Sequence, residues 1–246
     1  MNNRIIKDIR HYEIKPDNYS GQFDGILGNV YKGSFEIKCI GQRIARKLNE
    51  LNFVTGDFDH LYIYLTNTLE NGVIKDYEFE YDKQIRCFDY GQNQDEFNNL
   101  TDEEREQIIN KISFKVLRWK FAEDEINSKL IDIVESLIEK EGKEIIIYYK
   151  HKETNFCKIN IGFQVAPTNN SSKIIIDYLS KKDHLKFRGE IDTYHYEDIY
   201  YLVDRISIKG SQIVLHPKKS TKAELATNQY STPLIVDINK LAACPQ

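Results

Sequence analysis

Apolar and polar residues alternate along residues 4–14 (RIIKDIRHYEI), the period of two that predicts a half-buried strand. Pro16, Asp17 and Asn18 break it. Gly21, Gly25, Gly28 and Gly33 then punctuate a stretch that reads as turns or a hairpin. Residues 35–39 alternate again and predict a further strand that Gly41 ends. In residues 42–51, Ile44, Leu48 and Leu51 fall at spacings of four and three and predict a short amphipathic helix. Strands follow at 58–66, at 73–79 after the Asn71-Gly72 turn, and at 85–90 before Gly91.

The strongest local signal is Thr101-Asp102-Glu103-Glu104, a capping box in which a hydroxyl and a carboxylate each satisfy the other's backbone N–H. The helix it opens carries Ile108, Ile112, Val116 and Trp119 down one side. A second, from about Asp124 to Gly142, carries Ile126, Leu130, Ile133, Val134 and Leu137. From residue 144 onward strands recur at short intervals (144–149, 157–165, 173–179, 185–191, 199–208 and 212–215), the spacing of an antiparallel meander. After His216-Pro217 the tail is polar and basic, with one more strand at 234–238. The pattern predicts an α+β fold, rich in antiparallel sheet, with two central amphipathic helices and a C-terminal β-meander. A boundary near 141 divides it into 1–141 and 142–246, unless the helices join both halves into one domain.

Composition supports that reading: of 246 residues 41% are hydrophobic, with 16 Tyr and 12 Phe, enough for a core and favourable to sheet. No stretch approaches the roughly 18 apolar residues that span a bilayer, and the charged start does not read as a signal peptide. Cys39, Cys87, Cys157 and Cys244 form no C-x-x-C pair. Those features predict a cytoplasmic protein with reduced thiols and no membrane association.

Charge is segregated. Residues 56–144 carry 22 acids and 11 bases, and the rest of the chain carries 16 and 23. Such runs are commonly solvated helix faces. They also suit the steering of a basic partner, and the acidity is the wrong sign for nucleic acid.

Motifs for chemistry are sparse. Gly28 and Gly33 have the Walker A separation, but Ser34-Phe35 stands where Lys-Ser/Thr is needed, so the glycines read as turns. Asp57, Asp59 and His60 form the densest cluster of ionisable groups. They could hold a cation or transfer protons in an enzyme, with further groups from elsewhere. A capping and hydrogen-bonding role for them is the simpler reading. His11, His151, His184, His195 and His216 lack zinc-site spacing, and 193–198 (TYHYED) suits a pocket or a contact surface. The expectation is of no catalytic residue, no metal and no cofactor.

The run 53–63 (FVTGDFDHLYI), followed by Leu65-Thr66, Gly72-Val73-Ile74, Arg86, Asp89-Tyr90-Gly91, Phe97-Asn98 and Leu100, resembles a family of immunity proteins from bacterial polymorphic-toxin (contact-dependent inhibition) loci. That resemblance, over about fifty residues, implies a cytoplasmic, non-enzymatic protein that binds and neutralises one cognate toxin domain. The acidic region would then be the natural contact face, with Asp57, Asp59, Glu78, Glu80, Asp95 and Glu103 as charged contacts and Tyr62, Tyr77 and Tyr81 as aromatic anchors. The competing readings are an enzyme built on Asp57, Asp59 and His60, or a non-catalytic subunit of a stable complex. Oligomeric state is open.

Overall fold

The computed structural model describes residues 3–14, 25–77, 82–166 and 171–244. The chain is α+β and divides into two compact units, Met1–Gly142 and Lys143–Gln246. Pro16–Asn18, Gly21, Glu78, Glu80 and Tyr81 lie outside the described residues.

In the first unit the opening strand is split into β1 (Arg4–Ile5) and β2 (Asp8–Glu13). The predicted strand at 35–39 is instead the start of helix α1 (Phe35–Glu50), opened by Ser34, whose Oγ accepts from Ile37 N–H at 3.2 Å. Gly41 does not end an element. It lies inside α1 where the helix meets β2, and a Cβ there would fall 2.9 Å from the Ile9 carbonyl carbon. β3 (Val54–Gly56) pairs with β1. β4 (His60–Thr66), β5 (Ile74–Tyr77) and β6 (Ile85–Gly91) complete a four-stranded sheet of order β2-β4-β6-β5. β2, β4 and β6 run parallel and only β5 is antiparallel, so α1 is the crossover that parallel pairing requires. α2 (Gln94–Asn98), α3 (Asp102–Lys120) and α4 (Glu125–Glu141) follow. The Thr101–Glu104 capping box forms in both directions, with Thr101 N–H on Glu104 Oε2 at 2.8 Å and Glu104 N–H on Thr101 Oγ1 at 3.3 Å.

Alternation along the strands divides the sheet into two faces. Ile9, Leu61, Ile63, Leu65 and Phe88 are buried on the helix-covered face. His11 is buried with them, its Nε2 2.8 Å from Ser113 Oγ of α3, which itself donates to the Ile109 carbonyl. Burial in this apolar layer lowers the His11 pKa from 6.5 to about 4. Because the folded value is the lower one, the unfolded chain takes up the proton first. The stability His11 contributes is complete above pH 6.5 and is lost as pH falls toward 4, by about 3 kcal/mol at one proton's slope. Urea unfolding at pH 7.5 and 4.5 should show that loss, and His11→Gln should flatten it. An equal slope in the variant would remove His11 as its source.

The buried stripes of α3 and α4 each keep part of the predicted one, Ile112 and Val116 in α3 and Val134 in α4, and shift the rest. α3 buries Ile109, Ile112, Val116 and Leu117, leaving Trp119 47% exposed. α4 buries Asn127, Ile131, Val134 and Ile138; Val134 is where the pattern put it, and Ile126, Leu130, Ile133 and Leu137 are one residue out of phase with the buried arc.

In the second unit β7 (Ile147–Glu153), β8 (Cys157–Gln164), β9 (Ser172–Ser180) and β10 (Lys186–Thr193) form the antiparallel meander. The 199–208 segment is not one strand. It holds a helical turn, α5 (Ile199–Leu202), and then β11 (Arg205–Lys209). Phe163 stacks on Tyr196 beside that turn, with ring centroids 5.7 Å apart. β12 (Gln212–His216), a short helix α6 (Thr221–Ala226) capped by Ser220, and β13 (Leu234–Asp237) follow. β11, β12 and β13 make a second antiparallel sheet, and β14 (Ala242–Ala243) pairs with β10. Among the described residues, no helix is long and apolar enough to cross a membrane.

Candidate protein-binding surface

The glycine-punctuated loop, the first place to look for an anion site, is already filled from within. Glu13, at the end of β2 and 1% exposed, accepts from the backbone N–H groups of Asn29, Val30 and Tyr31 at 2.9, 3.0 and 2.8 Å. Successive N–H groups converging on an oxyanion are the geometry of a phosphate cradle, and here they hold the protein's own carboxylate. This anchors residues 29–31, and with them the start of α1, to the carboxyl end of the parallel strands.

Other elements gather at that same end. The Tyr31 hydroxyl donates to the Gln92 carbonyl at 2.8 Å, its ring meets Phe97 of α2, and Asn98 bridges to Lys32 N–H and Val30 C=O. Ser34 Oγ donates to Glu106 of α3 at 3.4 Å. Three helix starts thus lie together, carrying Glu36 in α1, Asp95 and Glu96 in α2, and Asp102, Glu103 and Glu104 in α3. Each acid suits the positive end of its own helix, and together they concentrate negative charge. Burial, followed by the charges of Glu36, Glu103 and Asp102, pushes the Glu106 carboxyl above the usual range despite the hydrogen bond from Ser34. Beside Asp95 a polar cleft of about 220 Å³, lined by Asn67, Asn71, Gln92, Asn93 and Gln94, opens at the ends of β4 and β6. Open sheets with parallel strands commonly bind at this edge.

Of the sequence-predicted contacts, Asp95 and Glu103 are exposed on this acidic end. Asp57 is exposed in the bend before β4, at the opposite end of a seven-residue strand, roughly 23 Å long. Tyr77 closes β5. Asp59 is not at the surface. It is 1% exposed, Oδ2 accepts from Arg4 at 2.8 Å and Lys7 at 2.7 Å, and Oδ1 lies 2.5 Å from His60 Nδ1. Burial would raise its pKa, but the hydrogen bonds from Lys7, His60 and Arg4 outweigh that and lower it. Asp59 therefore ties the N-terminal segment to the start of β4, and Asp57 does not converge with it. Among the described residues, no three His, Cys, Asp or Glu side chains are placed to hold a metal ion.

Tyr62 lies half-buried on the face of the sheet opposite His11. Parallel pairing brings Arg10, Tyr12 and Tyr64 around it: the Tyr12 ring is 5.1 Å from Tyr62 and 5.2 Å from Tyr64, and the Arg10 guanidinium lies 5.6 Å from the Tyr62 ring. Arg10, Tyr12 and Tyr64 escaped the sequence reading because only the register between β2 and β4 places them together. Tyrosine and arginine are the residue types that anchor protein interfaces. In unit two, the 193–198 segment folds back on itself. His195 N–H and the Tyr230 hydroxyl both donate to Asp198, and Tyr194 stays exposed. Comparison with protein-family models, curated proteins and solved structures returned no match.

Proposed function

We propose that this protein is an immunity protein, which neutralises a cognate bacterial toxin domain by direct binding. The observation that carries this reading is the acidic end of the first unit, where the exposed first-turn acids of α2 and α3 stand beside an open polar cleft. A surface of this kind attracts a basic partner from a distance and sets orientation before close contact. The tyrosine and arginine cluster around Tyr62 supplies anchors of the kind that hold a complex once formed. The resemblance of residues 52–100 supplies the class of partner, and residence in the cytoplasm of the toxin-producing cell follows from that role.

Calorimetry between this chain and the toxin domain encoded beside its gene tests the proposal. A one-to-one complex that abolishes the toxin's activity is expected, and absence of binding would overturn it. The triple reversal Asp95→Lys, Glu96→Lys, Glu103→Lys should slow association about tenfold at low salt and flatten its salt dependence. Association unaltered by the reversal would remove the acidic end as the contact face.

A further inference from the structure

α4 carries two apolar stripes, and the first unit uses one. Asn127, Ile131, Val134 and Ile138 face inward, and Arg118 of α3 holds Asp132 and Glu135 on the far side of that arc. The stripe Ile126, Leu130, Ile133 and Leu137 is rotated about 100° away, the turn of a single residue. Ile126 is 74% exposed and Ile133 49%, and Leu130 and Leu137 are half-buried. On the inward arc, Asn127 Nδ2 donates to the Val54 carbonyl at 2.7 Å. Isoleucines spaced along one helix face and left in water make a patch with a binding role more often than a scatter of single residues does.

The geometry points to a second copy of this chain as the occupant, with two α4 helices packed antiparallel about a two-fold axis. The spacing of the stripe, four-three-four, reads the same in both directions. A copy turned end for end sets Ile126 opposite Leu137 and Leu130 opposite Ile133, so each position meets an apolar partner and each pairing occurs twice. That self-complementarity is what an isologous interface needs, and alternating spacings of three and four are those of helices that interlock side by side. Charge agrees with the same register. Lys140, in the last turn of α4, is brought to the end where Glu123, in the turn before the Asp124 cap, and Glu125 of the other copy lie. A basic toxin surface has no comparable reason to match a lysine-flanked apolar stripe. The dimer face is thus distinct from the acidic end that the proposed function uses, and either can fail without the other.

Sedimentation velocity of the full chain from about 1 to 200 μM tests this. The expected result is a mass rising from 28.9 kDa to twice that value. Ile133→Glu and Ile126→Glu, both at exposed positions, should each weaken the dimer about tenfold or more, with far-ultraviolet circular dichroism and Tm retained. Lys140→Glu should weaken it less, and Glu123→Lys added to Lys140→Glu should restore it. A chain that stays at 28.9 kDa throughout, or a dimer indifferent to both isoleucine substitutions, overturns the proposal. Failure of the paired charge reversal to restore the dimer overturns the antiparallel register. Loss of toxin binding in Ile133→Glu, with the wild-type chain monomeric, would assign the stripe to the toxin.

Discussion

Glu13→Ala is expected to cost about 3–5 kcal/mol of folding stability, a large share of the 5–15 kcal/mol typical of a domain. The carboxylate is buried and accepts three backbone N–H bonds at 2.8–3.0 Å, two of them from the buried residues Val30 and Tyr31. Hydrogen bonds to an ionised acceptor are about twice as strong as neutral ones. Alanine would leave these three donors without their acceptor. Glu13→Gln keeps the shape and one acceptor oxygen, but it turns an amino group toward one donor, and should cost about 2 kcal/mol. Urea denaturation of both variants reads these values. A loss below about 1 kcal/mol for alanine would mean that the loop re-forms without its internal anion.

The parts of this fold that sequence pattern predicted are those whose determinants are local. The Thr101–Glu104 box, the Asp124 and Gly142 ends of α4 and the spaced strands of the second unit each depend on residues a few positions apart, so their signals survive in one dimension. Residues 35–39 misled because alternation over five residues fits a strand as well as a helix. Extending the pattern to Ile40, Ile44 and Leu48, all buried, makes it helical, and Gly41 interrupts it only if glycine is read as punctuation. Ser34 was the available cap signal. Parallel pairing of β2, β4 and β6 is non-local, and so is everything built on it, including the meeting of Arg10, Tyr12 and Tyr64 with Tyr62. Asp59 shows the same limit for a single residue. Its acidity was visible, but Arg4 and Lys7, more than 50 positions away, decide that it is buried. Asp95 and Glu103 were picked out as acids of the charged 56–144 region and are exposed, but the short helix α2 that carries Asp95 went unpredicted.

Gly41→Ala tests the close packing of α1 on β2, and its expected sign opposes intrinsic propensity. In an exposed helix interior, alanine in place of glycine stabilises by about 1 kcal/mol, since it lowers the entropy of the unfolded chain and favours helical φ and ψ. Here the new methyl would sit 2.9 Å from the Ile9 carbonyl carbon and 3.2 Å from His11 Cε1, and the carbonyl oxygen is nearer still. Backbone cannot yield as a side-chain tip can, so α1 must lift from β2. Overpacking of that kind costs typically 1–3 kcal/mol. As α1 is also the crossover between two parallel strands, the upper part of that range is expected net of the propensity gain, and more for Gly41→Val. The His11 ring supplies a second readout: a helix displaced from β2 admits water to the imidazole, so its pKa should rise from about 4 toward 6.5 in the alanine variant, visible by NMR titration. The effects of Gly41→Ala and His11→Gln on stability should then fall short of additive, because each disturbs the same contact. A Gly41→Ala variant more stable than the wild type, with His11 still titrating near 4, would mean that α1 does not rest on β2 at this point.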